Sequence, residues 1–182
     1  IFDYDYIDAR EDEVIVNFKL LYGYAALLPE EEEKYKKFTK SIQRRAATIG
    51  GQDMNDYPLK MLIFNRARLV KNSKNRIPYG VELIQKHKRE SWIVFTENKK
   101  QAKDFNKIIN KEGFKSGIYN TDLKDDERQE NLEAFKSGKL NVLVSCTALD
   151  EGFDMPEADG AMILSASSSK RQRIQRMGRV LR

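Results

Sequence analysis

From residue 91 onward, short apolar runs alternate with segments of helical periodicity. The first run, Trp92–Phe95, is continuous and rich in residues that favour strands, which is typical of a strand buried on both faces of a sheet. We predict strands at about residues 92–96, 117–120, 141–145 and 161–165. Because strand–helix alternation implies right-handed βαβ crossovers, this pattern predicts an α/β fold with a parallel sheet and helices on both faces.

The first 90 residues follow a different pattern. Residues 14–20 and 22–28 favour short strands, and the segment from 29 to 90 favours helices interrupted by glycine and proline. We therefore divide the chain into residues 1–90, which combine two initial strands with a basic helical accessory segment, and residues 91–182, which form the α/β domain.

Basic residues are concentrated in that helical segment. The chain has a net charge of +5, and residues 34–90 contain 15 Lys or Arg against four acids. A basic stretch attracts polyanions, and nucleic acid is the usual one. A solvated surface of Lys-rich helices has the same composition, so both interpretations stay open here.

Several classes of site and location are excluded by composition. Cys146 and His87 are the only Cys and His in the sequence, so an internal disulfide is impossible and a Cys/His metal site would lack ligands. Cys146 is predicted to be a packed thiol at a strand end and not a nucleophile. No apolar run approaches the roughly 20 residues that span a bilayer. We expect a cytoplasmic or otherwise intracellular protein with no membrane partner.

Polar side chains follow each predicted strand, at the edge where parallel sheets bind their ligands. Ser, Thr and Asn often contact a phosphate backbone and position it without reading its sequence. The polar clusters are Thr96–Asn98, Asn120–Asp122, Ser145–Thr147 and Ser165. Ordinary strand ends are also polar, so this pattern gains meaning only together with other motifs.

The loop at residues 150–156 contains groups suited to a nucleotide. Gly152 permits close approach of a ligand to the backbone, and Asp154 can accept hydrogen bonds from a ribose. An ordinary loop whose acids cap a helix would contain the same residue types.

The C-terminal segment is the most specific feature. Arg179 and Arg182 are three residues apart, so in a helical turn both project to one side. Two guanidinium groups in this arrangement can hold one phosphoryl group through paired hydrogen bonds. A generic basic tail would not require Gln175 and Gly178 at their positions.

Together these segments resemble the motifs of superfamily 2 helicases. Residues 175–182 resemble motif VI, residues 151–156 resemble motif V, and Trp92–Thr96 resembles motif IV. Their order and spacing agree across residues 91–182, which implies the second RecA-like domain of such a motor. Residues 1–28 are similar to the start of this domain in the branch of restriction motors and repair helicases, which favours DNA over RNA.

The resemblance implies roles for individual residues. Arg179 and Arg182 would be arginine fingers that reach the γ-phosphate of ATP, and Gln175 would orient that site. Gly152 and Asp154 would contact the nucleotide. The residues that would contact the nucleic-acid backbone are Thr96, Asn98, Thr121 and Thr147.

The sequence contains no Gly-x-x-x-x-Gly-Lys-Ser/Thr phosphate loop. ATP and Mg²⁺ would therefore be bound mainly by a first RecA-like domain, with this domain as its partner. We predict the second motor domain of an ATP-dependent helicase or translocase, inactive as an isolated fragment. The alternatives are a non-catalytic nucleic-acid-binding module built on residues 34–90 and a RecA-like scaffold for protein contacts. The pair Arg179 and Arg182 favours the motor, since neither alternative needs both.

Overall fold

The structure is a computed structural model, and it describes residues 19–51, 53–87, 91–146 and 157–165. Its helices are α1 (Pro29–Ile49), α2 (Tyr57–Lys71), α3 (Arg76–His87), α4 (Lys99–Lys111) and α5 (Asp125–Lys136). Its strands are β1 (Trp92–Thr96), β2 (Ser116–Tyr119), β3 (Val142–Cys146) and β4 (Gly160–Ile163). Ala25–Tyr79 forms one compact unit, here called the helical unit, and the described residues from Gly80 onward belong to a second, the sheet unit.

The four strands form one parallel sheet in the order β2-β3-β1-β4. Trp92 pairs with Val142 of β3 on one side and with Gly160 of β4 on the other. Every residue of β1 and β3 is buried, which explains why these central strands are continuous apolar runs in the sequence. The predicted parallel sheet is confirmed, and each strand lies within about two residues of its predicted bounds.

One face of the sheet is covered by α5. Leu132 and Phe135 of this helix form a buried cluster with Ile93, Phe95 and Leu143 of the two central strands. Alternate residues of a strand point to opposite faces, so the residues between these belong to the other side of the sheet. The α5 side therefore holds one of the two apolar layers of the sheet unit.

The other face is covered by α3 and α4. Phe105 and Ile109 of α4 are fully buried. Gly80 allows α3 to approach closely, because a Cβ atom there would lie 2.7 Å from Cδ1 of Leu164 and 3.1 Å from Sδ of Met162. Helices thus lie on both faces of the sheet, as predicted. The polar side chains that follow the strands lie at its carboxyl edge.

Glycines follow the ends of three helices. Gly50, Gly113 and Gly138 follow α1, α4 and α5 with φ angles of 75°, 87° and 72°. This left-handed conformation is favourable for glycine and strained for most other residues. The expectation that residues 29–90 are mostly helical is likewise confirmed for the described part of that range.

The polar surface of α1 is ordered by charge. Acids occupy the first turn, and lysines follow, which is the order that the helix dipole favours. Glu32 pairs with Lys36 and Glu33 with Lys37, each at 2.7 Å and four residues apart.

Among the described residues, no helix combines the length and the apolar character needed to cross a membrane.

Asp56 joins α1 to α2 within the helical unit. Its carboxylate accepts hydrogen bonds from Nε of Arg45 at 3.0 Å, from Nη2 of Arg45 at 2.5 Å and from the backbone N–H of Leu59 at 2.8 Å. The hydrogen bonds from Arg45, followed by that from Leu59, hold the pKa of Asp56 below its usual range. At neutral pH the group therefore stays ionised and caps α2.

The predicted strand at residues 22–28 is wrong. This segment is irregular, and Tyr22 and Tyr24 are 90% and 85% exposed. Residues that favour strands form one only where a neighbouring strand offers backbone partners, and no described strand pairs with this segment. Most of the other predicted initial strand, at residues 14–18, lies outside the described residues.

Candidate functional site

The carboxyl edge of the sheet is formed by the residues that follow its four strands. The described members are Thr96–Asn98, Asn120–Asp122, Cys146 and Leu164–Ser165. In the parallel register Phe95 pairs with Ser145 and with Ile163, and Ser145 pairs with Tyr119. The strands therefore end side by side, and the polar clusters predicted from sequence share one edge.

Thr96 lies inside this edge and not on its surface. Its side chain is fully buried, and its hydroxyl donates to the carbonyl oxygen of Ser145 at 3.1 Å, with a longer contact of 3.4 Å to the carbonyl oxygen of Asn98. The hydroxyl therefore ties β1 to β3. A contact between Thr96 and nucleic acid stays a prediction, and it would require the side chain to leave this position.

Asn98 and Thr121 lie closer to solvent. The half-buried Asn98 caps α4, since its Oδ1 accepts a hydrogen bond from the backbone N–H of Gln101 at 2.9 Å. Thr121 is exposed in the turn that connects β2 to α5. Of the side chains predicted to contact nucleic acid, Thr121 is thus the most accessible in the described part of the chain.

Asp122, next to Thr121, forms ion pairs that the sequence did not predict. Its carboxylate lies against Nζ of Lys99 and 3.8 Å from Nζ of Lys103. The hydrogen bond from Lys99 holds the pKa of Asp122 below its usual range. The sequence contains one sign of this arrangement, because two lysines four residues apart follow a strand and lie on one side of a helix.

Asn120 lies beneath these charges and is 4% exposed. Its Oδ1 accepts a hydrogen bond from the backbone N–H of Asp122 at 3.0 Å, which fixes the turn. Its Nδ2 has no hydrogen-bond partner among the described residues. Buried polar groups are nearly always hydrogen-bonded, so this amide is suited to donate to a polar group at the edge.

The remaining predicted site residues lie outside the described residues. They are Thr147, Gly152, Asp154, Gln175, Arg179 and Arg182. Cys146, the last residue of β3, is buried, as expected of a packed thiol.

The described edge is suited to bind phosphate groups. It combines an exposed hydroxyl at Thr121, the ammonium groups of Lys99 and Lys103, and the start of α4. Hydroxyls, lysines and helix N-termini are the groups that most often bind phosphate oxygens in nucleic-acid complexes, and they do so without regard to base sequence.

The helicase conserved C-terminal domain matches residues 75–182, well over half of the chain. This chain belongs to that family. It is the C-terminal RecA-like domain of a superfamily 2 helicase or translocase, as the motif resemblance implied.

Two curated relatives of the helicase domain extend the match beyond the sheet unit. The DNA 3'-5' translocase XPB2 of Sulfurisphaera tokodaii is 28% identical over 184 residues, which cover 92% of this chain and 41% of that protein. The UvrABC system protein B of Lactobacillus johnsonii is 29% identical over 168 residues, covering 85% and 25% respectively. The chain thus spans less than half the length of either relative.

A solved structure supports the fold of the helicase domain. The C-terminal domain of the DEAD-box protein Dbp5 is 25% identical and superposes with a TM-score of 0.54, covering 60% of this chain and 64% of that one. The RecA-like parallel sheet with flanking helices is therefore shared with this domain.

Proposed function

We propose that this chain is the second motor domain of an ATP-dependent DNA helicase or translocase. The similarity to XPB2, a DNA translocase by name, supports DNA over RNA as the substrate. This similarity extends over 92% of the chain and so includes the helical unit. The likeness to the Dbp5 domain covers only 60%. The helical unit is therefore the part of the chain whose similarity favours a DNA helicase or translocase.

In this proposal ATP and Mg²⁺ are bound mainly by a first RecA-like domain. Arg179 and Arg182 supply guanidinium groups to the γ-phosphate, and Gln175 orients that site. Gly152 and Asp154 contact the nucleotide from this side. Catalysis of phosphoryl transfer depends mostly on positioning and charge stabilisation, so two domains that close on one nucleotide share the work.

The carboxyl edge would form part of the nucleic-acid track. Thr121, Asn98 and Thr147 would contact the backbone, and Lys99 and Lys103 would add positive charge beside them. Because Asp122 pairs with both lysines and offsets one of their two positive charges, a phosphate that binds there must compete with its carboxylate. Contacts of this kind hold any sequence, as a motor that moves along DNA requires.

We expect the isolated 182-residue chain to hydrolyse no ATP, because it lacks the phosphate loop and the metal-binding acids of this reaction. Phosphate release with Mg²⁺, in the presence and absence of DNA, is the measurement, and the full-length protein is the positive control. Robust Mg²⁺-dependent turnover by the isolated chain would show that the catalytic assignment is wrong.

Two arginines of the helical unit make structural contacts, so they are unsuited to a test of nucleic-acid binding. Arg45 is paired with Asp56, and Arg66 donates to Oγ1 of Thr39 at 3.2 Å while it lies 5.4 Å from the ring centroid of Tyr35. Replacing either arginine would disturb the helical unit itself. The exposed arginines at positions 44 and 68 are the better choice.

DNA binding by the full-length protein is expected to weaken as salt rises and to be insensitive to sequence, because Lys and Arg displace counterions. We expect Thr121→Ala combined with Thr147→Ala to weaken binding, as measured by fluorescence anisotropy at several salt concentrations. Arg44→Gln with Arg68→Gln is the comparison. If only the arginine variant weakens DNA binding, the helical unit provides the affinity, and the alternative of a non-catalytic nucleic-acid-binding module is then preferred.

A further inference from the structure

One side of α2 exposes large apolar side chains. Tyr57, Met61 and Phe64 are 70%, 37% and 49% exposed. They are spaced four and three residues apart, so they lie on the same side of the helix, and we call them the aromatic face of α2. The largest apolar patch on the surface of a protein often marks a binding site.

The charges around this face indicate what kind of partner fits. The sequence of α2 contains four basic residues and no acid. Lys60 and Arg68 are exposed on the side of the aromatic face, and Nζ of Lys60 lies 5.8 Å from the ring centroid of Phe64. Aromatic rings flanked by cations complement a polyanion that also has flat apolar surfaces.

We propose that the aromatic face of α2 is a stacking platform for single-stranded nucleic acid, with Lys60 and Arg68 beside its phosphates. The proposal rests on the proposed function in that nucleic acid is the substrate. It adds a second binding surface, in the helical unit, to the carboxyl edge of the sheet unit.

The spacing of the rings suits a short run of bases. Tyr57 and Phe64 are seven residues apart, which corresponds to about 10 Å along a helix axis. Stacked bases are about 3.4 Å apart along a strand, so the two rings are far enough apart to contact different bases. A duplex keeps its base faces stacked inside, whereas a single strand offers them to aromatic side chains. The face therefore favours the single strand.

The test is nucleic-acid binding by the full-length protein without ATP. Fluorescein-labelled oligothymidylate of about 20 nucleotides and a blunt duplex of the same length are the probes, measured by anisotropy. Tyr57→Ala with Phe64→Ala is expected to raise the Kd for the single strand about tenfold or more, the scale of lost base–aromatic stacking. The Kd for the duplex is expected to change by less than about twofold, because duplex binding depends mainly on phosphates.

Two control variants separate stacking from folding. Tyr57→Phe with Phe64→Tyr keeps both rings and should bind the single strand nearly as well as the original protein. Tyr22→Ala with Tyr24→Ala removes two rings outside α2 that are even more exposed, and it should change neither Kd. Far-UV circular dichroism of each variant checks that its helices are intact.

An unchanged Kd for the single strand in the alanine pair would overturn the proposal, and so would an equal loss for both probes. The first result would assign the aromatic face to a protein partner, and the second to general backbone binding. Because the assay contains no ATP, its outcome is independent of whether Arg179 and Arg182 act in hydrolysis. A failure of the motor assignment is thus distinguishable from a failure of this one.

Discussion

Replacing Arg179 or Arg182 by Ala in the full-length protein is expected to reduce nucleic-acid-stimulated ATP hydrolysis by about 10³–10⁵-fold, the contribution of known arginine fingers. Charge on the γ-phosphoryl oxygens is redistributed in the transition state, and a positioned guanidinium stabilises that state more than the ground state. Binding of ATP and DNA should stay largely intact. Steady-state phosphate release with DNA present, together with separate binding measurements, tests this prediction.

Two further substitutions sharpen the arginine test. Lys at position 179 or 182 should restore little activity, because a flexible point charge lacks the fork geometry of a guanidinium. Arg173→Ala removes a positive charge from the same segment but outside the motif, and it should have a modest effect. Near-normal turnover in both alanine variants would mean that the C-terminal segment only resembles motif VI, and the binding-module alternative would then be preferred.

Phe105→Ala is expected to lower the free energy of unfolding of the sheet unit by about 3–5 kcal/mol, the usual cost of truncating a buried aromatic residue. Phe105 is fully buried between α4 and the sheet. Domains are stable by about 5–15 kcal/mol, so this loss would leave the unit marginal. Urea denaturation of the 182-residue chain, followed by tryptophan fluorescence, measures this loss of stability. Trp92 of β1 is the only tryptophan in the sequence and is buried.

Two control variants test whether the loss of stability comes from the packing of Phe105. Phe105→Leu keeps most of the apolar volume and should cost less than about 1.5 kcal/mol. Tyr24→Ala removes an aromatic residue that is 85% exposed, and its effect should stay within about 0.5 kcal/mol. Equal denaturation curves for Phe105→Ala and Tyr24→Ala would mean that the packing assigned to α4 is incorrect.

Features that depend on local sequence were predictable. The central strands β1 and β3 are buried on both faces, so each is a continuous apolar run. Helix ends at Gly113 and Gly138 were predictable because their left-handed conformation favours glycine. The same logic failed at residues 22–28, since a run that favours strands also needs a neighbouring strand, and no local pattern reveals whether one is available.

The position of the candidate residues on one edge of the sheet was predictable, but their contacts were not. The rule that ligands bind beyond the carboxyl ends of parallel strands placed Asn98 and Thr121 on one edge. It could not show that Thr96 is buried, because a strand-end hydroxyl can face either the interior or the solvent. The pairing of Lys99 with Asp122 joins residues 23 positions apart, and the helical spacing of the lysines does not identify their acidic partner. Such contacts follow from tertiary packing alone.

The strand order also determines when the chain can gain structure during its synthesis. Trp92 of β1 pairs with Val142 and Gly160, so the central strand has no partner until at least 50 further residues have emerged and gains its second only after 68. At about 5–20 residues per second, that delay lasts about 3–14 seconds. The contacts Arg45–Asp56 and Thr39–Arg66 of the helical unit join residues only 11 and 27 positions apart, so they need a shorter wait. A ribosome-bound chain is therefore expected to hold its helices early, while five consecutive residues destined for the interior are still exposed to chaperones.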